Sequence, residues 1–474
     1  CWRYLGSKMT KFRTEKDSLG TIKVPAKAYY GAQTQRAVEN FEIGWAMDLN
    51  LIFPYIIIKK AAAISNHAQK RLSKKLSNAI VKACDDILEN PEDFIDQFPV
   101  SVFQSGSGTQ TNMNVNEVVA NKANELLGGK LGEYKFIHPN DHVNMSQSTN
   151  DTFPSAILIG CVLNVEDNLL PSLEILKIEL SKKEKEFKSI IKVGRTHLQD
   201  ATPITLGQEF SGYVSMINND IKRIQNTLKE CAQLPIGGTA VGTGINTIAG
   251  YDKLMVNTIS SETGLSFKVC SNKFELLSSQ NVLSDLSAQI KICSGSLNKI
   301  ANDIKWLSSG PMTGIGELKL PSNEPGSSIM PGKVNPTQCE AVNMVHAQIL
   351  GNDMTIGFSG SSGNFELNTY RPVVASAIHE SISLLSEVSQ SFALHAIKGL
   401  SANKKKIKEN LNKSLMLVTA LVPEIGYEKS TEIAKKALKE NISLKESAKK
   451  LNYLSEKEFN KIIKPELMIS PKKV

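Results

Sequence analysis

Four polar stretches gather most of the residues able to do chemistry. They are Gln104-Ser-Gly-Ser-Gly-Thr-Gln-Thr-Asn-Met-Asn114, then His138-Pro-Asn-Asp141 with Ser146-Gln-Ser-Thr-Asn-Asp151, Gly194-Arg-Thr-His-Leu-Gln-Asp200, and Gly326-Ser-Ser-Ile-Met-Pro-Gly-Lys-Val-Asn-Pro-Thr-Gln-Cys-Glu340. One Ser, Thr or Asn ahead of a helix caps its free N–H groups. Several in one stretch predict an anion site built from helix N-termini and side-chain donors. Hydroxyls, amides, one lysine and one histidine suit a small polycarboxylate. His197, beside Arg195 and Thr196 and ahead of Glu209, is suited to exchange a proton near neutral pH. A serine such as Ser327 is a poor base unless its alkoxide is stabilised. Lys333 and the N–H groups of the glycine-containing loop are the groups that can do so. Gly326, Pro331, Gly332 and Pro336 forbid an ordinary helix there, and a loop of that length in a compact protein is either functional or disordered.

Other constellations carry less. Gly237-Gly-Thr-Ala-Val-Gly-Thr-Gly244 lacks GxGxxG spacing, a preceding strand and the Lys-Ser/Thr ending of a phosphate loop, so it reads as a tight turn near a pocket. His138 and His142 are four apart, but Pro139 intervenes and no third ligand stands out, so neither metal nor cofactor is expected. His67, His346, His379 and His395 fall in helical patterns and read as packed or exposed. The cysteines (Cys1, Cys84, Cys161, Cys231, Cys270, Cys293 and Cys339) are odd in number and scattered, as reduced thiols in a cytosol-like compartment would be. A net charge of +8 is modest for 474 residues, and the lysine run Asn403-Lys-Lys-Lys-Ile-Lys-Glu409 reads as a solvated helix face, not a nucleic-acid patch. The longest apolar run, 156–163, is too short to span a bilayer. No signal-peptide core opens the chain, and residues 1–8 read as an extension ahead of a start at Met9.

The elements that must position these stretches are mostly helices. Leu283, Leu286, Ile290, Cys293, Leu297, Ile300, Ile304 and Leu307 recur at steps of three and four, one apolar stripe on one long helix. Segments 155–187 (with Pro171 as a kink), 205–231, 337–359 and 373–394 read the same way. Together they predict a mainly all-α protein with a long central five-helix bundle. The expected division is an N-terminal mixed, mostly helical domain at 1–146, the bundle at 147–404 and a small helical domain at 405–474. Within the flanks, Thr21 to Val24 reads as strand, and 53–72, 117–127, 407–415, 429–440 and 444–451 as helices.

The run GSSIMPGKVNPTQCE resembles the signature of the fumarase/aspartase superfamily in its class II fumarase form. AYYGAQTQRA, QSGSGTQTNMNVNEV, HPNDHVNMSQSTNDTFPSA, VGRTHLQDATPITLGQE, GGTAVGTGIN, GPMTGIGEL, SGNFELN and SLMLVTAL match in order, from about Lys11 onward. Aspartate ammonia-lyases usually have alanine where Gly332 stands and differ after KVNP. Ser148-Thr149-Asn150 points the other way, since fumarases commonly read Ser-Ser-Asn there. The resemblance implies a three-domain fold whose helix bundle joins three others in a homotetramer, with each active site shared by three chains. It implies reversible hydration of fumarate to L-malate through an aci-carboxylate, with aspartate ammonia-lyase as the alternative and a non-catalytic protein, as among lens crystallins, as a third reading. By resemblance, Ser327 takes the carbon-bound proton, Lys333 and Asn335 bind the carboxylate that gains charge, His197 acts through a water on the opposite face, and Glu340 orients it. Ser107, Gly108, Thr109, Ser148, Thr149, Asn150, Thr196 and Ser328 hold the two carboxylates. His138, Asn140 and Asp141 match a second anion site. The implied partners are a small dicarboxylate and further copies of the chain, with no nucleic acid or membrane. The absence of an arginine-rich leader favours a bacterial cytoplasm over the mitochondrial matrix.

Overall fold

Apolar residues at steps of three and four build the long helices, and polar caps set their ends. In the computed structural model, which describes residues 11–471, the five long helices are Thr149–Glu186, Leu206–Cys231, Asn281–Leu307, Thr337–Gly360 and Arg371–Phe392. Cys1 and the expected extension before Met9 lie outside the described residues. The first helix starts ahead of the expected Ser155 because Ser148 and Asp151 form a capping box, Ser148 N donating to Asp151 Oδ1 at 3.0 Å. Pro154 therefore lies inside it. Ahead of Pro171, which has no N–H to give, the helix widens into a π turn over Val165–Leu169. This helix is apolar enough to cross a membrane by length and composition, but 72% of its apolar window is buried inside the protein.

The stripe on Asn281–Leu307 is consumed within the chain: every residue from Leu283 to Leu307 on it is buried. The stripe itself therefore leaves no apolar surface for a second copy of the chain. The spare apolar face is on Thr337–Gly360, where Met344, Met354 and Phe358 are 67%, 76% and 67% exposed.

The described residues form two compact units. The first holds those up to Pro171 with Lys222–Ile292 and Ala347–Ser386; the second holds Ser172–Ile221, Cys293–His346 and those from Glu387 on. In the first, a hairpin pairs Phe12–Asp17 with Gly20–Pro25. It lies beside the buried Glu117, which accepts from the N–H groups of Gly31, Gln33 and Thr34 at 2.9, 2.9 and 3.0 Å. That carboxylate caps helix Ala32–Asn40 and explains the AYYGAQTQRA motif. Helix Thr109–Leu126 begins well before the expected Glu117, because the polar run from Thr109 is its first turn.

In the second unit, helices Lys404–Lys413, Tyr427–Glu440, Leu444–Lys450 and Glu456–Ile462 enclose a core of Leu411, Leu421, Ile433, Ala448 and Phe459. Val193 joins this core from a β-hairpin, Ile191–Thr196 with Gln199–Thr205. The sequence reads the middle of this hairpin as a plain loop. Gly194 and the bulge between Val193 and Arg195 break the alternation that marks a strand. Cys84, Cys161, Cys231, Cys270 and Cys339 are free and buried, and Cys293 is buried.

Candidate functional site

In the first unit, two of the polar stretches meet at two helix N-termini. Gly108 is the N-cap of Thr109–Leu126, with φ +83° and no capping side chain. A Cβ there would lie 2.1 Å from the Phe153 ring of the helix that starts at Thr149, so only glycine permits the approach. Asn112 Nδ2 bridges the two helices by donating to Thr149 Oγ1 at 2.9 Å. Ser107, Gly108 and Thr109 are thereby brought beside Ser148, Thr149 and Asn150. The hydroxyls of Ser105, Ser107 and Thr109 form a chain at 3.1 and 2.9 Å. Gly106 fits because a Cβ would meet Thr369 O at 1.7 Å, and Gly106 O accepts from Arg371 N at 3.1 Å. Thr369 and Arg371, just after the SGNFELN motif, thus seat the serine loop.

The glycine run at 237–244 closes the same region. A two-residue strand, Gln233–Leu234, does precede it, but no helix follows directly, so the tight turn stands. Gly237 N donates to Asp151 Oδ2 at 2.8 Å and Asn150 Nδ2 to Ala240 O at 2.7 Å. Burial pushes the Asp151 carboxyl up to about 6, against the pull of these N–H donors.

In the second unit, His197 and Leu198 are the two turn residues of the hairpin. Their φ values of +57° and +60° are those of a two-residue turn usually filled by Asn-Gly. Holding non-glycine residues there costs on the order of 1 kcal/mol each, and such strain recurs at functional positions. The imidazole is exposed at the tip and makes no hydrogen bond among the described residues.

Below this turn lies a charge cluster that sequence reading did not find. Glu317, 0% exposed, accepts from Arg195 at 2.7 and 3.1 Å and from Asn410 at 3.0 Å; buried Lys192 lies 3.4 Å from it and 3.2 Å from Glu209. Burial pushes the Glu317 carboxyl up, but Arg195, Lys192 and Asn410 outweigh it and hold it below its usual value. Only a carboxylate in the GPMTGIGEL motif hinted at this. Glu317→Gln takes the shared carboxylate from half-buried Arg195 and buried Lys192, leaving Lys192 only Glu209 as an ion-pair partner among the described residues, and is expected to cost about 3–5 kcal/mol. Because the folded value is lowered, this stability is present above the ordinary glutamate range and is lost as pH falls through the folded value. Urea unfolding of wild type is therefore expected to weaken in acid, with a flatter profile in the variant.

The fourth stretch is an irregular loop whose ends touch. Asn335 Nδ2 donates to Gly326 O, and a Cβ on Gly326 would lie 2.0 Å from Lys333 O. Ser327 Oγ accepts from the backbone N–H groups of Ile329 and Met330 at 3.2 and 2.9 Å. Lys333 and Ser328 are exposed in the loop, and Glu340 is exposed in the first turn of Thr337–Gly360. Ser327, Lys333, His197 and Glu340 share no hydrogen bond with one another, and Thr196 ends the strand leading to His197.

Asn140 and Asp141 lie in one π turn, Pro139–Val143, which His138 caps. His138 Nδ1 accepts from the N–H groups of Asn140 and Asp141 at 3.3 Å each, so this tautomer carries its proton on Nε2. No cluster of three or more His, Cys, Asp or Glu with metal-ligand geometry occurs among the described residues. Of the helical histidines, His379 is fully buried, His346 Nδ1 contacts Ser294 Oγ at 2.9 Å, His67 Nδ1 contacts Leu72 O at 3.0 Å and His395 is exposed.

Residues 20–351 match the lyase family and residues 417–470 the fumarase C C-terminal family. The mitochondrial fumarate hydratase of Rhizopus oryzae is 52% identical, over 98% of this chain and 94% of that one. The class II fumarate hydratase of Helicobacter pylori is 51% identical, over 98% of this chain and 100% of that one. The crystal structure of class II fumarase from Schistosoma mansoni superposes with a TM-score of 0.94 at 42% identity, covering 98% of this chain and 100% of that one.

Proposed function

The chain belongs to the class II fumarase family of lyases and catalyses the reversible hydration of fumarate, and from that premise we propose how its residues do so. In the malate direction the Ser327 oxygen takes the proton from the carbon beside one carboxylate. The electron pair moves into that carboxylate, giving an aci-carboxylate dianion. Lys333 and Asn335 bind the oxygens where the second negative charge grows, and the stabilisation matters most in the transition state. His197, through a water on the opposite face, protonates the leaving hydroxyl. Ser107, Gly108, Thr109, Ser148, Thr149, Asn150, Thr196 and Ser328 hold carboxylate oxygens, the first six at the paired helix N-termini.

The observation that carries this reading is the pair of backbone N–H groups on Ser327 Oγ. Two donors lower the cost of negative charge on that oxygen, which a general base of this type requires. Thr149 keeps the hydroxyl of the serine common in fumarases and adds a methyl group. Aspartate ammonia-lyase is not favoured, given relatives named fumarate hydratase at 52% and 51% identity. The test is loss of fumarate absorbance with and without ammonium. Consumption in water alone, unchanged by ammonium, is expected; dependence on ammonium would overturn the assignment.

Because the proposed catalytic groups of the second unit make no hydrogen bond with one another within one chain, we place the working site between copies of the chain in a homotetramer. The exposed apolar face of Thr337–Gly360 supports this arrangement.

A further inference from the structure

We propose that Lys59 is a positioning residue for substrate binding: it fixes the polarity of a buried amide relay so that the Thr149 hydroxyl donates its hydrogen to a substrate carboxylate. Lys59 is 0% exposed in helix Leu49–Ala68, whose run Tyr55-Ile-Ile-Ile58 before it and Ala61-Ala-Ala63 after it are apolar. A charge in that setting is costly and calls for a reason. Its Nζ donates to Asn112 Oδ1 at 2.7 Å, Asn144 Oδ1 at 3.0 Å and Gln147 Oε1 at 3.0 Å. Three acceptors match the three hydrogens of an ammonium group. Among the described residues, no carboxylate makes a hydrogen bond or ion pair with it. Its nearest ring, Tyr55, lies 5.1 Å away.

The orientation of every amide in the relay follows from its other bonds. Gln147 Nε2 donates to Val143 O and Met145 O at 2.9 and 3.1 Å, so Oε1 must face Lys59. Asn144 Nδ2 donates to Gln147 O at 3.3 Å, so its Oδ1 faces Lys59 too. Asn112 turns its Oδ1 to Lys59, and its Nδ2 donates to Asn144 Oδ1 at 3.2 Å and to Thr149 Oγ1 at 2.9 Å. Thr149 Oγ1 is therefore an acceptor on its inner side. Its own hydrogen meets no protein acceptor among the described residues. A hydroxyl polarised this way at a helix N-terminus is a donor held ready for an anion. Burial pulls Lys59 down to about 7 against the pull of Asp151, so a bound dicarboxylate and the ammonium form favour each other.

The proposal rests on Thr149 binding a substrate carboxylate. The experiment is a double-mutant cycle of Lys59→Met and Thr149→Val on the assembled enzyme. It reads KM for fumarate, kcat, and the inhibition constant of succinate, a dicarboxylate that cannot react. Lys59→Met alone is expected to raise KM and the succinate constant about tenfold with kcat changed less than about threefold. In the Thr149→Val background the same change is expected to add less than about twofold. Asn112→Asp keeps the volume and pairs with Lys59 but offers Thr149 no N–H. It turns the hydroxyl inward and is expected to weaken succinate binding similarly, which gives a second route if Lys59→Met does not fold. A folded Lys59→Met enzyme with unchanged constants, or two effects that simply multiply, would overturn the role of Lys59. Unchanged constants in Thr149→Val alone would instead remove the premise that Thr149 binds substrate.

Discussion

Ser327→Ala is expected to lower kcat for fumarate hydration about 10²–10⁴-fold, the range of a general base, with the thermal melt almost unmoved. The serine sits in an exposed loop, and among the described residues its hydroxyl bonds only to Ile329 N and Met330 N of that same loop. Deleting it removes two local bonds, each worth about 1 kcal/mol net, from a segment outside the core. The same two N–H groups would also form if Ser327 merely pinned a turn, so activity, not geometry, separates the two readings. A turn-pinning serine loses little when replaced, because Asn335 and Gly326 still close the neck of the loop. Ser328 is the internal control. Its hydroxyl accepts no backbone N–H among the described residues, and Ser328→Ala is expected to raise KM several-fold with a smaller loss of kcat. Retention of more than about a tenth of wild-type kcat in Ser327→Ala would remove Ser327 from the base role.

What the sequence made legible was decided by how local each cause is. The long helices follow from apolar steps of three and four, and all five are present. Their starts were displaced where a cap acts through a side chain three residues on, as with Ser148 and Asp151. The four polar stretches were recognisable because several hydroxyls and amides exceed what capping needs. The hairpin under His197 was not, since Gly194 and a bulge hide its alternation and its turn residues are an unlikely His-Leu. Glu317 and Lys59 were missed for one reason: each acts through partners far along the chain, Arg195 and Asn410 for one, Asn112 and Gln147 for the other. A lysine pair, Lys59-Lys60, inside an apolar helix was the only local sign of Lys59. The stripe from Leu283 to Leu307 was legible as apolar, but whether its partner is the same chain or another copy is a property of the tertiary packing.

Met344→Glu combined with Met354→Glu is expected to convert a tetramer into single chains and to reduce fumarate hydration below detection. On Thr337–Gly360, the residues Glu340, Met344, Ala347, Gly351, Met354 and Phe358 follow steps of four, three, four, three and four, and each is exposed. That is the seam of a helix that packs lengthwise on another, with knobs at the methionines and the phenylalanine. Ala347 and Gly351 in the middle let a second helix approach closely, and a Cβ added to Gly351 would meet nothing within 4 Å in the chain itself. Burying each large side chain contributes on the order of 1.5–3 kcal/mol, and several copies of the seam multiply it. A carboxylate driven into that seam without a partner is strongly unfavourable. The seam begins at Glu340, an exposed acid whose carboxylate makes no hydrogen bond among the described residues, at the end of the Ser327 loop. His197, equally without a partner, is held on a strained turn. The arrangement proposed above pairs this acid with the imidazole across two copies of the chain. Light scattering reads the mass, and the fumarate assay at the same concentration reads the activity. Single chains that still hydrate fumarate would show that one chain holds a complete site.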